Sequence, residues 1–235
     1  ALAGADGWVS LWAYAAGGTL GRLRAHPSVV HTIAFSPDGL RLASGGDGPA
    51  LMVWEIPSGR ELRSLVGHSS AVHSLAFSAD GRLLVSGGAD GTVRCWEVAT
   101  GRCLGSSWHG AAVAAVSLAP DGRSAASGGT NGQVRVWDVP SGRERVHITV
   151  GEVVGALAFA PDGTRLAAAG RGQQIHFWDP STGQAVGALG GYREPVSGLD
   201  FSPDGQWLAS ASSDGSVWLR AARPRTDRGV AAGWS

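Results

Sequence analysis

Hydrophobic residues lie in short runs separated by turn-forming residues, and they do not follow the 3.6-residue spacing of a helix. Between residues 29 and 66 the runs read VVHTIAF, RLAS, ALMVWE and ELRSLV. The segments that separate them include SPDG, GGDG and PSGR, in which Asp-Gly and Pro favour tight reversals of the chain. This pattern predicts four short antiparallel strands.

The pattern returns with a fixed period along the chain. The SPDG turn at 36–39 recurs as SADG, APDG, APDG and SPDG at steps of 42, 41, 41 and 42 residues. A tryptophan series keeps the same period at Trp12, Trp54, Trp96, Trp137 and Trp178. A four-stranded unit buries both of its faces by stacking against further copies around an axis. The sequence therefore predicts an all-β propeller.

The most complete unit carries a family resemblance. Gly67-His68, the SADG turn and the segment VRCWE resemble the signature of the WD-repeat β-propeller family, with five repeats and a partial one at the N-terminus. The resemblance extends over residues 1–220, which we expect to form one domain of a longer protein. Residues 221–235 are expected to be a polar, arginine-containing tail.

By this resemblance, partial blades lie at both ends and four complete blades lie between them, over about 29–66, 71–107, 112–149 and 153–190. Segments 6–12 and 19–24 would be the last two strands of the first blade. A fragment of a six- or seven-bladed ring is favoured, because about seven blades is usual. The alternative is a closed five-bladed ring in which Thr19–Arg24 joins the last three strands. The open edges would be completed by the rest of the chain or by another chain.

Three polar residues within the best repeat, His68, Ser86 and Asp90, have the residue types of a catalytic triad. Equivalent residues recur in two other repeats, whereas an active site needs one set. The resemblance implies instead that each set forms a structural brace with the repeat's tryptophan. The braces are His26, Ser44, Asp47 and Trp54; His68, Ser86, Asp90 and Trp96; and His109, Ser127, Asn131 and Trp137.

The copies also differ in informative ways. Asp47 follows Ser44 by three residues instead of four, which alters the turn. Asn131 replaces a charged residue, and the next repeat loses its histidine to Val150.

Partner-binding residues are expected on the narrow face of the ring, where loops on a rigid scaffold collect diversity. The candidates are His31, His73, Trp108, Arg171, Tyr192, Arg193 and Glu194. Later repeats hold Ala114, Gly155 and Ser197 at the positions of His31 and His73. Zinc sites need three or four convergent ligands, so we expect no metal and no cofactor.

Composition narrows the function further. The formal net charge is zero, which disfavours nucleic-acid and membrane-surface partners. All 19 basic residues are arginine, so lysine-based Schiff-base and phosphate-loop chemistry is excluded. The two cysteines suggest free thiols in a reducing cytoplasm. The residue usage suggests a GC-rich, bacterial source.

The expected function is a non-catalytic protein-interaction scaffold or sensor module that binds peptides or a neighbouring domain through the narrow face. Two alternatives belong to other classes: a propeller enzyme or regulatory domain fused to a catalytic effector, and a nucleic-acid binder.

Overall fold

The computed structural model describes residues 1–13 and 17–222. The predicted tail at 221–235 lies outside this part of the chain from residue 223 onward. The described residues form twenty-two β-strands. No helix among them is long and apolar enough to cross a membrane.

The strands form six antiparallel sheets, or blades, each built from strands that are consecutive in sequence. Blade 1 contains β1 (Leu2–Ala3), β2 (Trp8–Ala13) and β3 (Gly18–Arg24). Blade 2 contains β4 (Val30–Phe35), β5 (Arg41–Gly46), β6 (Ala50–Glu55) and β7 (Glu61–Val66). Blade 3 contains β8 (Val72–Phe77), β9 (Leu83–Gly88), β10 (Thr92–Glu97) and β11 (Cys103–Trp108).

The second half of the chain repeats this order. Blade 4 contains β12 (Val113–Leu118), β13 (Ser124–Gly129), β14 (Gln133–Asp138) and β15 (Glu144–Thr149). Blade 5 contains β16 (Val154–Phe159), β17 (Leu166–Gly170), β18 (Gln174–Trp178) and β19 (Ala185–Gly190). Blade 6 contains β20 (Val196–Phe201), β21 (Trp207–Ser212) and β22 (Val217–Ala221).

The blade architecture confirms the prediction of an all-β propeller with four complete blades between two partial ones. The first blade has a strand that the sequence did not reveal, because β1 is only two residues long and pairs Leu2 with Ser10. Strand β3 pairs with β2, placing Arg24 opposite Trp8, and it does not join β22. The five-bladed closure is therefore wrong. No closed ring forms within the described residues.

Neighbouring blades are joined by a repeated apolar interface. Leu51 and Val53 of blade 2 are fully buried against Val72, Leu84 and Trp96 of blade 3. Burying side chains of this size stabilises the fold by about 1.5–3 kcal/mol each relative to exposure. Equivalent clusters join the other consecutive blades. These clusters fix neighbouring blades relative to each other, so the loops and strand ends at the edges of the blades form a rigid surface.

A register shift recurs at the start of the first strand in blades 2 to 6. In blade 2, Val30 lies opposite Gly46 and Thr32 lies opposite Gly45, so His31 is an extra residue with no partner across the pair. The same shift occurs between Val72 and Ser74, with His73 as the extra residue. A β-bulge of this kind turns a side chain away from the ladder. The position of the bulge, at the start of the first strand, therefore determines the direction in which His31 and His73 point.

Candidate functional site

The polar residues of blade 3 form one continuous chain of hydrogen bonds. The Trp96 indole N–H donates to Ser86 Oγ at 2.9 Å. Ser86 Oγ lies 2.7 Å from His68 Nε2, and His68 Nδ1 lies 2.9 Å from Asp90 Oδ2. A carboxylate only accepts, so we assign the imidazole proton to Nδ1 and the Ser86 hydroxyl proton to the bond with Nε2. Each polar atom of the chain then has a partner.

Asp90 is the end of this chain and is held by more than the imidazole. It accepts the backbone N–H groups of Ser69 and Thr92 and the hydroxyl of Thr92. Burial alone would raise the pKa of Asp90, but these bonds outweigh it and lower the pKa to about 2. Burial lowers the pKa of His68 although Asp90 opposes the shift. At neutral pH the pair is an ionised carboxylate and a neutral imidazole.

Blade 2 keeps the upper part of the chain and loses the carboxylate. His26 Nε2 lies 3.0 Å from Ser44 Oγ, which also accepts the Trp54 indole N–H at 3.2 Å. Asp47 makes no hydrogen bond to His26, so its assignment to the brace is wrong. The turn has the same length as in blade 3, but its aspartate lies one position earlier: the backbone N–H of Asp47 bonds to Val29 O, as that of Ala89 bonds to Ala71 O in blade 3.

Asp47 therefore points to a different neighbour. Its Oδ1 lies 2.6 Å from His31 Nε2, and bonds from Ser28 and His31 hold its pKa below the usual range. Gly48 occupies the place that Asp90 has in blade 3. The one-position shift of the aspartate within the turn has moved a carboxylate from the brace to the bulge residue.

Blade 4 has an incomplete chain around a fully buried histidine. His109 Nδ1 lies 2.8 Å from Ser127 Oγ, which accepts the Trp137 indole N–H at 2.7 Å. His109 Nε2 is buried and has no hydrogen-bond partner. Burial lowers the pKa of His109 to about 4, and the nearby Arg135 guanidinium adds to the shift. Asn131 instead accepts the backbone N–H of Gln133 at 3.3 Å.

In the last two blades, other residue types occupy positions of the brace. In blade 5 the buried Ala168 replaces the serine, and Val150 packs against the cluster that contains Trp178. In blade 6 Tyr192 is buried, and its hydroxyl lies 2.7 Å from Ser210 Oγ. Tyr192 is therefore part of the core, and its assignment to partner binding is wrong. The tyrosine ring fills the space of an imidazole, and the Arg220 guanidinium lies over it at 5.0 Å.

One end of all the blades carries two sets of loops. Antiparallel pairing places the start of each first strand, the turn between the second and third strands and the end of each fourth strand at the same end. We call this end the loop face; it comprises residues 25–29, 47–49, 67–71, 89–91, 109–112, 130–132, 150–153, 171–173, 191–195 and 213–216, with the bulge residues beside them. It is the face that the family resemblance describes as narrow.

His31 and His73 meet at this face as neighbouring bulge residues. Their rings contact edge to face with centroids 5.0 Å apart. Burial lowers the pKa of His73, and the neighbouring His31 adds to the shift. An open depression of about 370 Å³ adjoins the pair and is lined by Ala112, Val113, Ala114 and Thr130. The two histidines thus border a recess with small side chains.

The remaining candidates lie exposed at the loop face. Trp108 ends the fourth strand of blade 3 and is 63% exposed. Its ring approaches the backbone of Gly91, which has a positive φ of 76° and leaves space for the indole. Arg171, Arg193 and Glu194 are also exposed. These residues present side chains to solvent without forming one pocket.

The structure does not assemble a metal site or a disulfide within the residues that it describes. No group of three or more potential ligands has metal-binding geometry there. Cys95 lies opposite Gly105, and Cys103 lies opposite Trp96, so the two thiols do not face each other across the hairpin. Both are free, and burial raises the pKa of Cys95 to about 11.

Two features of the site escaped the sequence analysis. Ser69 and Thr92 hold Asp90, and the Asx-turn spacing of Asp90 and Thr92 would have been the signal for the second of them. The bulge that presents His31 had a signal in the Gly45-Gly46 pair opposite it. A Cβ on Gly46 would collide with the carbonyl oxygen of Val29 in the loop before the bulge.

Comparison with known proteins gives one result. The model of the WD domain, G-beta repeat family matches five segments, at residues 17–55, 59–97, 101–138, 144–179 and 183–219. No curated protein matches the chain. The matched segments cover most of the sequence, and each runs from the last strand of one blade through the first three strands of the next. The chain therefore belongs to the WD-repeat family.

Proposed function

We propose that this propeller is a non-catalytic scaffold or sensor module that binds a protein partner through the loop face. WD-repeat propellers generally act in protein interactions, and the proposal concerns which surface of this chain does so. The observation that carries it is the pairing of His31 with His73 beside a recess of small residues, with Asp47 bonded to His31.

The arrangement suits recognition of an extended segment. The recess admits a side chain of the partner between polar groups that can donate or accept hydrogen bonds. Trp108 adds an exposed aromatic surface at the periphery, and Trp and Arg are the residue types enriched at the energetic centres of interfaces. Because the blades are joined by buried apolar clusters, little order has to be gained on binding.

The opposite end of the blades carries depressions as well, but its turn aspartates are already hydrogen-bonded. In its SPDG-type turns the aspartate oxygens already accept bonds from their own turn. Asp38 accepts the Ser36 hydroxyl and the Leu40 N–H, and Asp80 accepts the Ser78 hydroxyl and the Arg82 N–H. The same bonding holds the pKa values of Asp38 and Asp80 low. These turns are closed structural units.

We propose no catalytic step, cofactor or nucleic-acid partner for this surface. The bulge residues of blades 2 to 6 are His31, His73, Ala114, Gly155 and Ser197, so only two of the five have an ionisable side chain. One of these two, His31, is already bonded to Asp47. The zero net charge gives no electrostatic attraction for a polyanion. The two free thiols support a reducing, cytoplasmic location, which cell fractionation would test.

Selection from a displayed library of random peptides tests the proposal. Peptides enriched on the wild-type protein are remeasured on His73→Ala and Trp108→Ala, with Leu40→Ala at the opposite end as the matched control. We expect Kd to rise about tenfold or more for at least one loop-face variant, as loss of about 1.4 kcal/mol implies. The control, whose leucine is 59% exposed, should bind as wild type does.

Two outcomes contradict the proposal. One is that the enriched peptides bind both loop-face variants as they bind the wild type. The other is that Leu40→Ala weakens them more than the loop-face variants do, which would assign binding to the SPDG end of the blades.

A further inference from the structure

The chain contains a single asparagine, and it is followed by glycine. Asn131 is exposed in the turn between β13 and β14, and Gly132 has a positive φ of 74°. It occupies the position at which blade 3 has Asp90. The only position of the chain that can deamidate as Asn-Gly is therefore also the position at which blade 4 lacks a carboxylate.

Asn131 lies close to its histidine in the same way as Asp90 does. A Cβ placed on Gly88 would lie within 3 Å of His68 Nδ1 and Asp90 Oδ1. A Cβ placed on Gly129 would lie within 3 Å of His109 Nε2 and Asn131 Oδ1. The two histidine rings thus present opposite nitrogens to equivalent acceptors. In blade 4 that nitrogen remains without a hydrogen bond although it is buried.

We propose that Asn131 is a site of spontaneous deamidation and that the aspartate formed completes the polar brace of blade 4. The backbone nitrogen of Gly132 attacks Asn131 Cγ, and its proton leaves with the side-chain amide as ammonia. The product is a cyclic succinimide. Water then opens the ring at Cγ, which restores the normal backbone and leaves a carboxylate; opening at the main-chain carbonyl would leave isoaspartate.

Glycine leaves this attack unhindered, and the fold requires it. A Cβ on Gly132 would lie 2.7 Å from the backbone nitrogen of Glu152 in the next loop, and a positive φ is strained for other residues. The Gly132 nitrogen is restrained only by a 3.2 Å bond to Gly129 O. Packing of the adjacent loop thus requires glycine at position 132, and this glycine is what leaves Asn131 reactive.

The carboxylate produced would meet donors that are already in place. His109 Nε2 carries the proton when Nδ1 accepts the Ser127 hydroxyl, so it can donate to residue 131. The backbone N–H of Gln133 already points to the same side chain. The Arg135 guanidinium lies nearby, where a Cβ on Gly110 would contact both its Nη2 and Asn131 Nδ2. These three donor or cationic groups therefore favour the charged product.

Mass spectrometry on the intact folded protein tests the modification. The protein is held under native conditions at mildly alkaline pH and digested with trypsin, which releases residues 124–135 as one peptide because the chain has no lysine. We expect this peptide to gain the mass of one amide-to-acid exchange and to elute as the aspartate form. A urea-unfolded sample gives the intrinsic rate. No conversion in the folded sample after the unfolded one is complete would overturn the proposal.

The structural consequence is tested with variants of the full chain. Asn131→Asp supplies the proposed product, and Asn131→Gln is the matched control that keeps an amide. We expect Asn131→Asp to raise Tm by about 2–4 °C, the shift for roughly 1 kcal/mol in a domain of this size. Asn131→Gln should not raise it. If Asn131→Asp melts at or below the wild type, or if the folded protein yields mainly isoaspartate, the product does not complete the brace.

Discussion

Removal of the Ser86 hydroxyl is the sharpest test of the brace in blade 3. Ser86 Oγ is the only atom that joins Trp96 to His68, at 2.9 and 2.7 Å. Ser86 is fully buried, and Trp96 and His68 are nearly so. Ser86→Ala therefore leaves an indole N–H and an imidazole nitrogen without partners, while the apolar contacts of the tryptophan remain.

The expected cost follows from these two orphaned groups. Each buried polar atom without a partner costs about 1–3 kcal/mol, so Ser86→Ala, which leaves two, should lower the free energy of unfolding by about 2–6 kcal/mol. The gap left by one oxygen is too small for water to replace the bond. In a domain of this size, each kcal/mol corresponds to about 2–4 °C in Tm.

Urea unfolding gives the measurement, with Ser74→Ala as the matched control. Ser74 lies one strand away in the same blade, is half-buried, and its hydroxyl oxygen accepts one backbone N–H, that of Val116, at 3.0 Å. That variant should cost about 1 kcal/mol, with the m-value unchanged in both. The reasoning is refuted if Ser86→Ala costs no more than Ser74→Ala.

Two further predictions concern charge. Burial holds the pKa values of His26, His68 and His109 below that of an unfolded histidine. Below about pH 6.5 the unfolded chain therefore binds more protons than the folded protein does. Urea melts should therefore show stability falling from pH 6.5 towards 4, by up to about 1.4 kcal/mol per unit for each histidine; a flat profile would contradict this. Asp90→Ala should cost about 2–4 kcal/mol because it removes a nearly buried acceptor of several bonds, whereas Asp47→Ala, at an exposed pair, should cost less than about 1 kcal/mol. Equal losses in the two melts would show that Asp47 also supports the brace.

The blade architecture was predictable because two markers share one period. The SPDG turns fix where the first and second strands meet, and Trp54, Trp96, Trp137 and Trp178 mark the third strand of each blade. Strand β1 was missed because two residues are too short for a strand pattern. Its signal lies in the GADG turn at 4–7, which joins it to β2 and repeats the GADG turn at 88–91.

The site was less predictable because it depends on single-residue spacing. A shift of the aspartate by one turn position places Asp47 at His31 instead of His26, and residue type alone gives the same prediction for both places. Tyr192 is likewise a residue type that is common at interfaces, yet its hydroxyl bonds to the Ser210 hydroxyl and the residue is part of the core. In both cases a partner on another strand decides the role.

Blade 5 shows why a brace can be lost entirely at little cost. Val150 and Ala168 replace the histidine and the serine together, and both pack in the apolar cluster around Trp178. Replacing both partners of a buried hydrogen bond with apolar groups costs little, whereas removing one leaves the other unpaired. The unpartnered nitrogen of His109 in blade 4 is the intermediate case, because its histidine and serine remain and only the carboxylate is absent. The polar chain thus specifies the joint between blades, while the buried side chains supply most of its stability.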